Sequence, residues 1–147
     1  MKIIETEIKI NARPEKIWAV LTDFKGYPEW NPFIISIAGL KKSGERLSVV
    51  IQPPESSPMR FNPTILKFDE NKEFRWKGKL FIRGLFDGEH FFTLNDNNDG
   101  TTTFKHGEKF SGILIGLFGK TLKKTKNGFV LMNKAIKRRC EIEIALQ

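Results

Sequence analysis

The chain has 147 residues, of which 39% are hydrophobic and 29% charged, and its formal net charge is +8. A chain of this length buries roughly 70% of its unfolded surface, which is enough for one domain with a core. The composition excludes a disordered tail, and no segment approaches the ~20 apolar residues of a membrane-spanning helix. The single cysteine, Cys140, excludes an internal disulfide, and no signal-peptide pattern precedes Ile10. We therefore expect one soluble, cytoplasmic domain.

The positive charge makes acidic partners worth considering. Lysines and arginines are spread along the chain, with some enrichment after Lys120, where they fit the wet face of a helix. Thirteen phenylalanines and one tyrosine indicate an apolar interior more than a base-stacking platform. We therefore expect no nucleic-acid partner, no integral membrane segment and at most weak contact with an anionic membrane. The oligomeric state is not readable from the sequence.

The first two-thirds of the chain contain one helical segment among strands. Lys2–Ile10 alternates apolar and charged residues, as a half-buried strand does. Asn11 is a plausible helix cap and Pro14 suits the first turn of the helix that follows. Gly26 and Pro28 interrupt this helix. Further strands are predicted at 33–38, 45–52, 60–68 and 73–81.

A predicted hairpin places both histidines on an inward face. Within 84–94 and 101–110 the even positions are mainly apolar and include His90, His106 and Glu108. If the turn centres near Asn98, His90 lies opposite His106 and Gly88 lies opposite Glu108. Because polar groups on an inward face need partners or water, we expect a pocket here rather than a dry core.

A second predicted turn, near Arg83, brings Trp76 beside His90 and Gly78 beside Gly88. Two neighbouring glycines on an inward face remove side-chain volume and would leave room for a ligand.

The last predicted element is a helix over 120–145, roughly 39 Å long. Its apolar stripe includes Phe129, Met132 and Ile136, with Asn133 as a polar exception. Gly128 inside it costs up to about 1 kcal/mol relative to alanine and would allow close packing or leave room for a ligand. The apolar, glycine-rich run 112–119 fits either an extension of this helix or a mobile lid.

Several stretches resemble the START-like helix-grip (SRPBCC) superfamily, in its polyketide cyclase/dehydrase-like branch. They are 11–18, 21–24, 27–33, 76–78, 84–90, 106–112 and 128–137. The resemblance implies an α+β fold over 1–147, in which a strongly curved antiparallel sheet of six to seven strands wraps a long C-terminal helix. Two short helices would follow the first strand. It also implies a hydrophobic cavity between sheet and helix, and no cofactor is expected.

We therefore expect the domain to bind, sequester or carry a small hydrophobic molecule, which could be a lipid, an aromatic or a polyketide-like compound. The expected ligand-binding residues share an inward position or, for Trp30, one end of the cavity: Trp30, Trp76, Gly78, Phe86, Gly88, His90, Phe92, Phe104, His106, Glu108, Phe110, Phe129, Met132, Asn133 and Ile136.

The roles of His90, His106 and Glu108 stay open at this point. They could form a hydrogen-bonded cluster that fixes the sheet, contact a ligand, or transfer protons in a cyclase/dehydratase- or hydrolase-like enzyme. Two histidines and a carboxylate also have the residue types of a metal site, but we expect none. We favour binding over catalysis, and a third alternative is a chaperone activator or a module that contacts membrane surfaces.

Overall fold

The computed structural model describes residues 1–79, 87–112 and 119–145. The strands in these ranges are β1 (Lys2–Ile10), β2 (Ile34–Ala38), β3 (Ser48–Ile51), β4 (Met59–Phe61), β5 (Thr64–Asp69), β6 (Glu73–Lys79), β7 (Asp87–Asp96) and β8 (Thr102–Ser111). The α-helices are α1 (Pro14–Thr22), α2 (Tyr27–Trp30) and α3 (Gly119–Ala145), with a 3-10 turn at Phe24–Gly26. The predicted lid-or-helix run 112–119 and the turn near Arg83 lie largely outside the described residues.

The α+β helix-grip prediction is confirmed, with one difference in the sheet. A five-stranded antiparallel sheet has the order β1-β8-β7-β6-β5, and a three-stranded sheet has the order β2-β3-β4. The described strands therefore number eight in two sheets rather than six to seven in one. A bridge between Arg46 and Thr64 joins the sheets, so that together they form one curved surface.

Two details at the start of the chain differ in their outcome. The alternation of β1 is confirmed, because Ile4 and Ile10 are buried and the intervening charged residues are exposed. Asn11 as the helix cap is wrong. Helix α1 begins at Pro14 after Arg13, and the backbone N–H of Asn11 instead donates to Glu141 on α3. Proline supplies the first-turn geometry without a side-chain cap.

The predicted strand 60–68 is wrong, because it is two strands in different sheets. The break falls at Asn62 and Pro63, where proline lacks the N–H that a continuous ladder needs. The Pro63 carbonyl accepts from the Leu47 N–H and ties the break to the chain leading into β3. The predicted strand 45–52 is confirmed only over Ser48–Ile51.

Helix α3 packs along the inner face of the curved surface and buries Phe129, Met132, Ile136 and Cys140 completely. Gly128 serves close packing. A Cβ built there would lie 2.4 Å from Cδ1 of Phe33, whose ring is itself buried. The glycine therefore lets the helix approach β2 to a distance that any side chain would prevent.

We predict that Gly128→Ala lowers the free energy of unfolding by about 1 kcal/mol. Alanine would gain about 1 kcal/mol of helix propensity, but overpacking against Phe33 costs about 1–3 kcal/mol. Urea unfolding measures the difference. The matched control is Asn127→Ala on the neighbouring exposed position, which should leave stability unchanged or slightly higher. Equal stabilisation by both variants would contradict the close-packing role.

Candidate functional site

The β7–β8 hairpin brings the histidines together in a register that differs from the predicted one. His90 pairs with Glu108, and Phe92 pairs with His106. The turn centres on Asp99 rather than Asn98, and this shift of one residue moves the pairing by two. Asp99 accepts from the Thr101 N–H and hydroxyl, while Gly100 takes a φ of 89° that favours glycine. The predicted pairs of Trp76 with His90 and of Gly78 with Gly88 are confirmed.

A chain of five polar side chains crosses the interior from the sheet to α3. Glu108 Oε1 lies 2.9 Å from His90 Nδ1, and His90 Nε2 lies 2.7 Å from His106 Nε2. His106 Nδ1 lies 3.0 Å from Asn133 Oδ1, and Asn133 Nδ2 donates to Thr6 Oγ1 over 2.8 Å. The Thr6 hydroxyl donates to the backbone carbonyl of His106. His90 and His106 are diagonal neighbours across the strand pair, so their rings remain in contact although the register is shifted.

This hydrogen-bonded chain of side chains has one consistent arrangement of protons when every group is neutral. The Thr6 hydroxyl donates to the carbonyl, so it accepts from the Asn133 amide, whose oxygen must then accept from His106 Nδ1–H. His106 Nε2 consequently accepts from His90 Nε2–H, which leaves His90 Nδ1 as an acceptor. Glu108 must supply the last hydrogen and is therefore a protonated carboxylic acid.

Burial explains why the neutral arrangement is favoured over a buried ion pair. The His90 ring stacks on Trp76 at 4.8 Å, and His106 stacks on Phe129 at 4.2 Å. This aromatic surrounding removes water, which raises the pKa of Glu108 to about 8 and lowers the pKa of His90 to about 3. Desolvation, together with the nearby His90, also lowers the pKa of His106 well below its ordinary value.

A small cavity of about 40 Å³ lies at the Glu108 end of this chain, near the first turns of α3. Its lining is mainly apolar, and Glu108 and His90 are the ionisable residues that reach it. The lining residues are Phe33, Ile51, Pro53, Met59, Phe61, Gly78, Gly88, His90, Glu108, Phe110, Thr121, Leu122 and Thr125. The arrangement presents a carboxylic acid to an apolar space.

The space beside the two predicted glycines is partly occupied by side chains of the protein. A Cβ at Gly88 would lie 2.0 Å from Glu108 Oε2, and one at Gly78 would lie 3.1 Å from the Phe61 ring. Gly88 therefore makes room for the Glu108 carboxyl group, which corrects the expectation that its missing side chain is simply ligand space. Both glycines still line the cavity.

The predicted site residues fall into separate groups. Gly78, Gly88, His90, Glu108 and Phe110 line the cavity. The second group is buried in the core or in the polar chain without lining it: Trp76, Phe92, Phe104, His106, Phe129, Met132, Asn133 and Ile136. Trp30 is half-buried and packs on Tyr27, with ring centroids 5.2 Å apart. Phe86 lies outside the described residues.

Two expectations about α3 are corrected. Phe129 and Met132, which were expected to bind the ligand, lie too far along the helix to line the cavity, and the His106–Phe129 stack fills that level. Asn133, another expected ligand-binding residue, instead joins His106 to Thr6 through its side chain.

Sequence reasoning missed Thr6 and the β4 wall of the cavity. Met59 and Phe61 alternate with the exposed Arg60, and this period of two was the available signal. The prediction of a single strand over 60–68 did not include this alternation. For Thr6, the signal was a hydroxyl on the inward face of β1.

Residues 1–141 match the model of a family described as polyketide cyclase / dehydrase and lipid transport. The chain belongs to this family. No curated protein sequence matches this chain. None of the helices within 1–79, 87–112 and 119–145 has the length and apolarity required to span a membrane.

Several solved structures share the fold of this family member at low sequence identity. An aromatase/cyclase (Zhui) from a Streptomyces species has a TM-score of 0.78 and 12% identity, covering 97% of this chain and 95% of that one. A START superfamily protein from Mycobacterium smegmatis has a TM-score of 0.73 and 18% identity, with 95% and 97% covered. Norcoclaurine synthase from Thalictrum flavum, in complex with dopamine and hydroxybenzaldehyde, has a TM-score of 0.69 and 14% identity, with 93% and 84% covered. These similarities establish the fold alone.

We predict a stability maximum near pH 6.5. The raised pKa of Glu108 means that the folded protein holds an additional proton between pH 4.5 and about 8, so stability falls as pH rises through that range. The lowered pKa values of both histidines make stability fall as pH drops below 6.5. Between pH 4.5 and 6.5 the two histidines change the free energy of unfolding more than the single Glu108 does, so stability rises with pH in that range. Urea unfolding at pH 5, 6.5 and 8.5 measures the profile.

The Glu108→Gln variant tests the assignment, since its amide can donate to His90 Nδ1 as the acid does. It should lose the alkaline decline and keep the acid one. Glu7→Gln, on an exposed position of β1, should retain the wild-type profile. An unchanged alkaline decline in Glu108→Gln would show that another group causes it.

Proposed function

We propose that this protein binds a small hydrophobic molecule carrying a hydrogen-bond donor, such as a phenol or another hydroxyl compound. The observation that carries the proposal is the position of the Glu108 carboxyl group, which is hydrogen-bonded to His90 on the wall of an apolar cavity. Burial there favours its protonated form. Apolar burial, at roughly 25 cal/mol per Å², would supply the affinity. The family description and the fold support this class of function.

The chemistry of Glu108 specifies the polar group of the ligand. Its Oε1 hydrogen is used on His90, so Oε2 is left as a carbonyl-type acceptor. Oε2 makes no hydrogen bond to the described residues, and the side chain remains 14% exposed. A hydroxyl donor satisfies this oxygen, whereas a carboxylate ligand would place a negative charge against an acceptor.

The ligand must displace side chains, because a space of about 40 Å³ holds no more than about three water molecules. Met59 and Phe61 are the lining side chains that would move to admit a ligand. They are half-buried and belong to β4, a three-residue strand at the edge of the small sheet. Short edge strands have few contacts to lose on opening.

A proton-transfer enzyme is the second candidate function, and it is favoured by the position of Glu108 in the cavity wall, hydrogen-bonded to His90. A carboxyl group with a pKa of about 8 exchanges its proton near neutral pH, as a general acid or base must. His90 and His106 would orient the Glu108 carboxyl group through the hydrogen-bonded chain. The hydrolase alternative has less support, since no side-chain hydroxyl is hydrogen-bonded to a histidine ring nitrogen among the described residues.

We predict that 2-naphthol stabilises the protein more than naphthalene does. At 100 times the dissociation constant, a ligand contributes about 2.7 kcal/mol, or a rise in Tm of roughly 5–10 °C for a chain of this size. Thermal unfolding with both compounds measures the difference. Met59→Trp should fill the cavity and abolish the shift, whereas Met59→Leu should preserve it. Stabilisation that survives Met59→Trp would locate binding elsewhere.

If the protein is an enzyme, Glu108→Gln should separate binding from turnover. The glutamine retains an oxygen acceptor toward the cavity and an amide donor toward His90, so 2-naphthol should still bind. Turnover of an aromatic or polyketide substrate should fall at least about 100-fold, because general acid–base catalysis contributes roughly 10²–10⁴. Full turnover in the variant would exclude Glu108 as the proton-transfer group.

A further inference from the structure

The curved surface has a gap where β4 gives way to β5. Strand β5 begins at Thr64, which pairs with Lys77, while β6 continues to Gly78 and Lys79. No described residue of β5 pairs with these last two positions. The ring of Phe61 lies against Gly78 and fills the gap.

Phe61 and Gly78 line two spaces at once. On the inner side they line the apolar cavity with Glu108. On the outer side they line an open cleft of about 320 Å³ with Arg46, Arg60, Asn62, Thr64, Lys77 and Lys79. The Phe61 ring and the Gly78 backbone are therefore the partition between the cavity and this basic cleft.

Strand alternation places the positive charges around the outside of the gap. Arg60 lies between Met59 and Phe61, and Lys77 and Lys79 flank Gly78, so each of these three cations is next to a residue that lines the cavity. Arg46 is the fourth cation of the cleft. No ion pair joins the four cations to a carboxylate among the described residues. The Arg60 guanidinium donates to the Ser48 hydroxyl over 2.8 Å.

The nearby carboxylates do not neutralise this cleft. Asp87 pairs across the sheet with Lys79 and contributes one negative charge to an adjoining surface. Glu89 pairs in register with Lys77, but its carboxylate accepts from Arg75 over 2.7 Å. Four cations and the single carboxylate of Asp87 give the rim of the gap a net positive charge.

We propose that this gap is the ligand portal and that its cationic rim selects acidic amphiphiles, with a carboxylate held outside and the apolar part inserted past Phe61. The inference rests on the proposed function and adds the charge of the ligand to it. Arginine and lysine at a rim can hold a carboxylate while it stays hydrated, so the inserted part alone is desolvated. Glu108, at the inner end, then meets the uncharged end of the molecule.

Displacement of the neutral dye N-phenyl-1-naphthylamine tests the portal, with dodecanoate and its methyl ester as matched competitors, since the ester has neither a charge nor a hydroxyl donor for Glu108. Dodecanoate should bind about two- to thirtyfold more tightly, since two exposed ion pairs contribute about 0.2–1 kcal/mol each. Arg60→Gln/Lys77→Gln should remove most of this advantage without weakening the binding of the ester. Raising the ionic strength from about 0.05 M to about 0.5 M should reduce it in the wild type.

The control variant Lys134→Gln/Arg138→Gln removes the same charge from exposed positions on α3 and should keep the preference for dodecanoate. Equal binding of the acid and its methyl ester would overturn the portal and leave hydrophobic binding intact. Failure of the dye and both competitors to bind would overturn the proposed function as well. If both double variants lose the preference for dodecanoate equally, the preference comes from the net charge of the protein. This result would also overturn the portal.

Discussion

The interior depends on a desolvated hydrogen-bond chain that must be satisfied along its whole length. Its members come from β1, β7, β8 and α3, so the chain fixes the position of the helix on the sheet as well as the state of each side chain. An unpaired polar group in such surroundings costs about 1–3 kcal/mol. Burial keeps Glu108 protonated, and the direction of the hydrogen bonds between these neutral groups follows from Thr6 at the opposite end.

This constraint divides the inner surface into two parts. Around His106, aromatic rings fill the space between sheet and helix, with Phe33, Phe92 and Phe129 all within 6.3 Å between ring centroids. Toward the first turns of α3, Gly78, Gly88, Thr121 and Thr125 join the lining and the cavity opens. The interior is therefore filled by aromatic rings at the level of His106 and holds the cavity at the level of Glu108.

The sequence predicts the elements well because their signals are local. Alternation gives the bounds of β1, helical spacing gives α3 to within one residue, and parity identifies the inward face of β7 and β8. The register of the hairpin depends on where a five-residue turn centres, which several asparagines and aspartates permit equally. The split at Pro63 was readable in principle from the missing N–H. Proton positions depend on contacts 100 or more residues apart, such as Thr6 with His106 and Asn133, which no periodic pattern reveals.

The short β5 strand has a consequence for association between molecules. Where Pro63 ends the ladder, β6 carries backbone groups that no described strand of the sheet covers, and such an edge can template pairing with another chain. Lysines on an edge are one of the devices by which proteins prevent this pairing. Lys79 stands at that position and Lys77 beside it, where their charges would oppose such pairing.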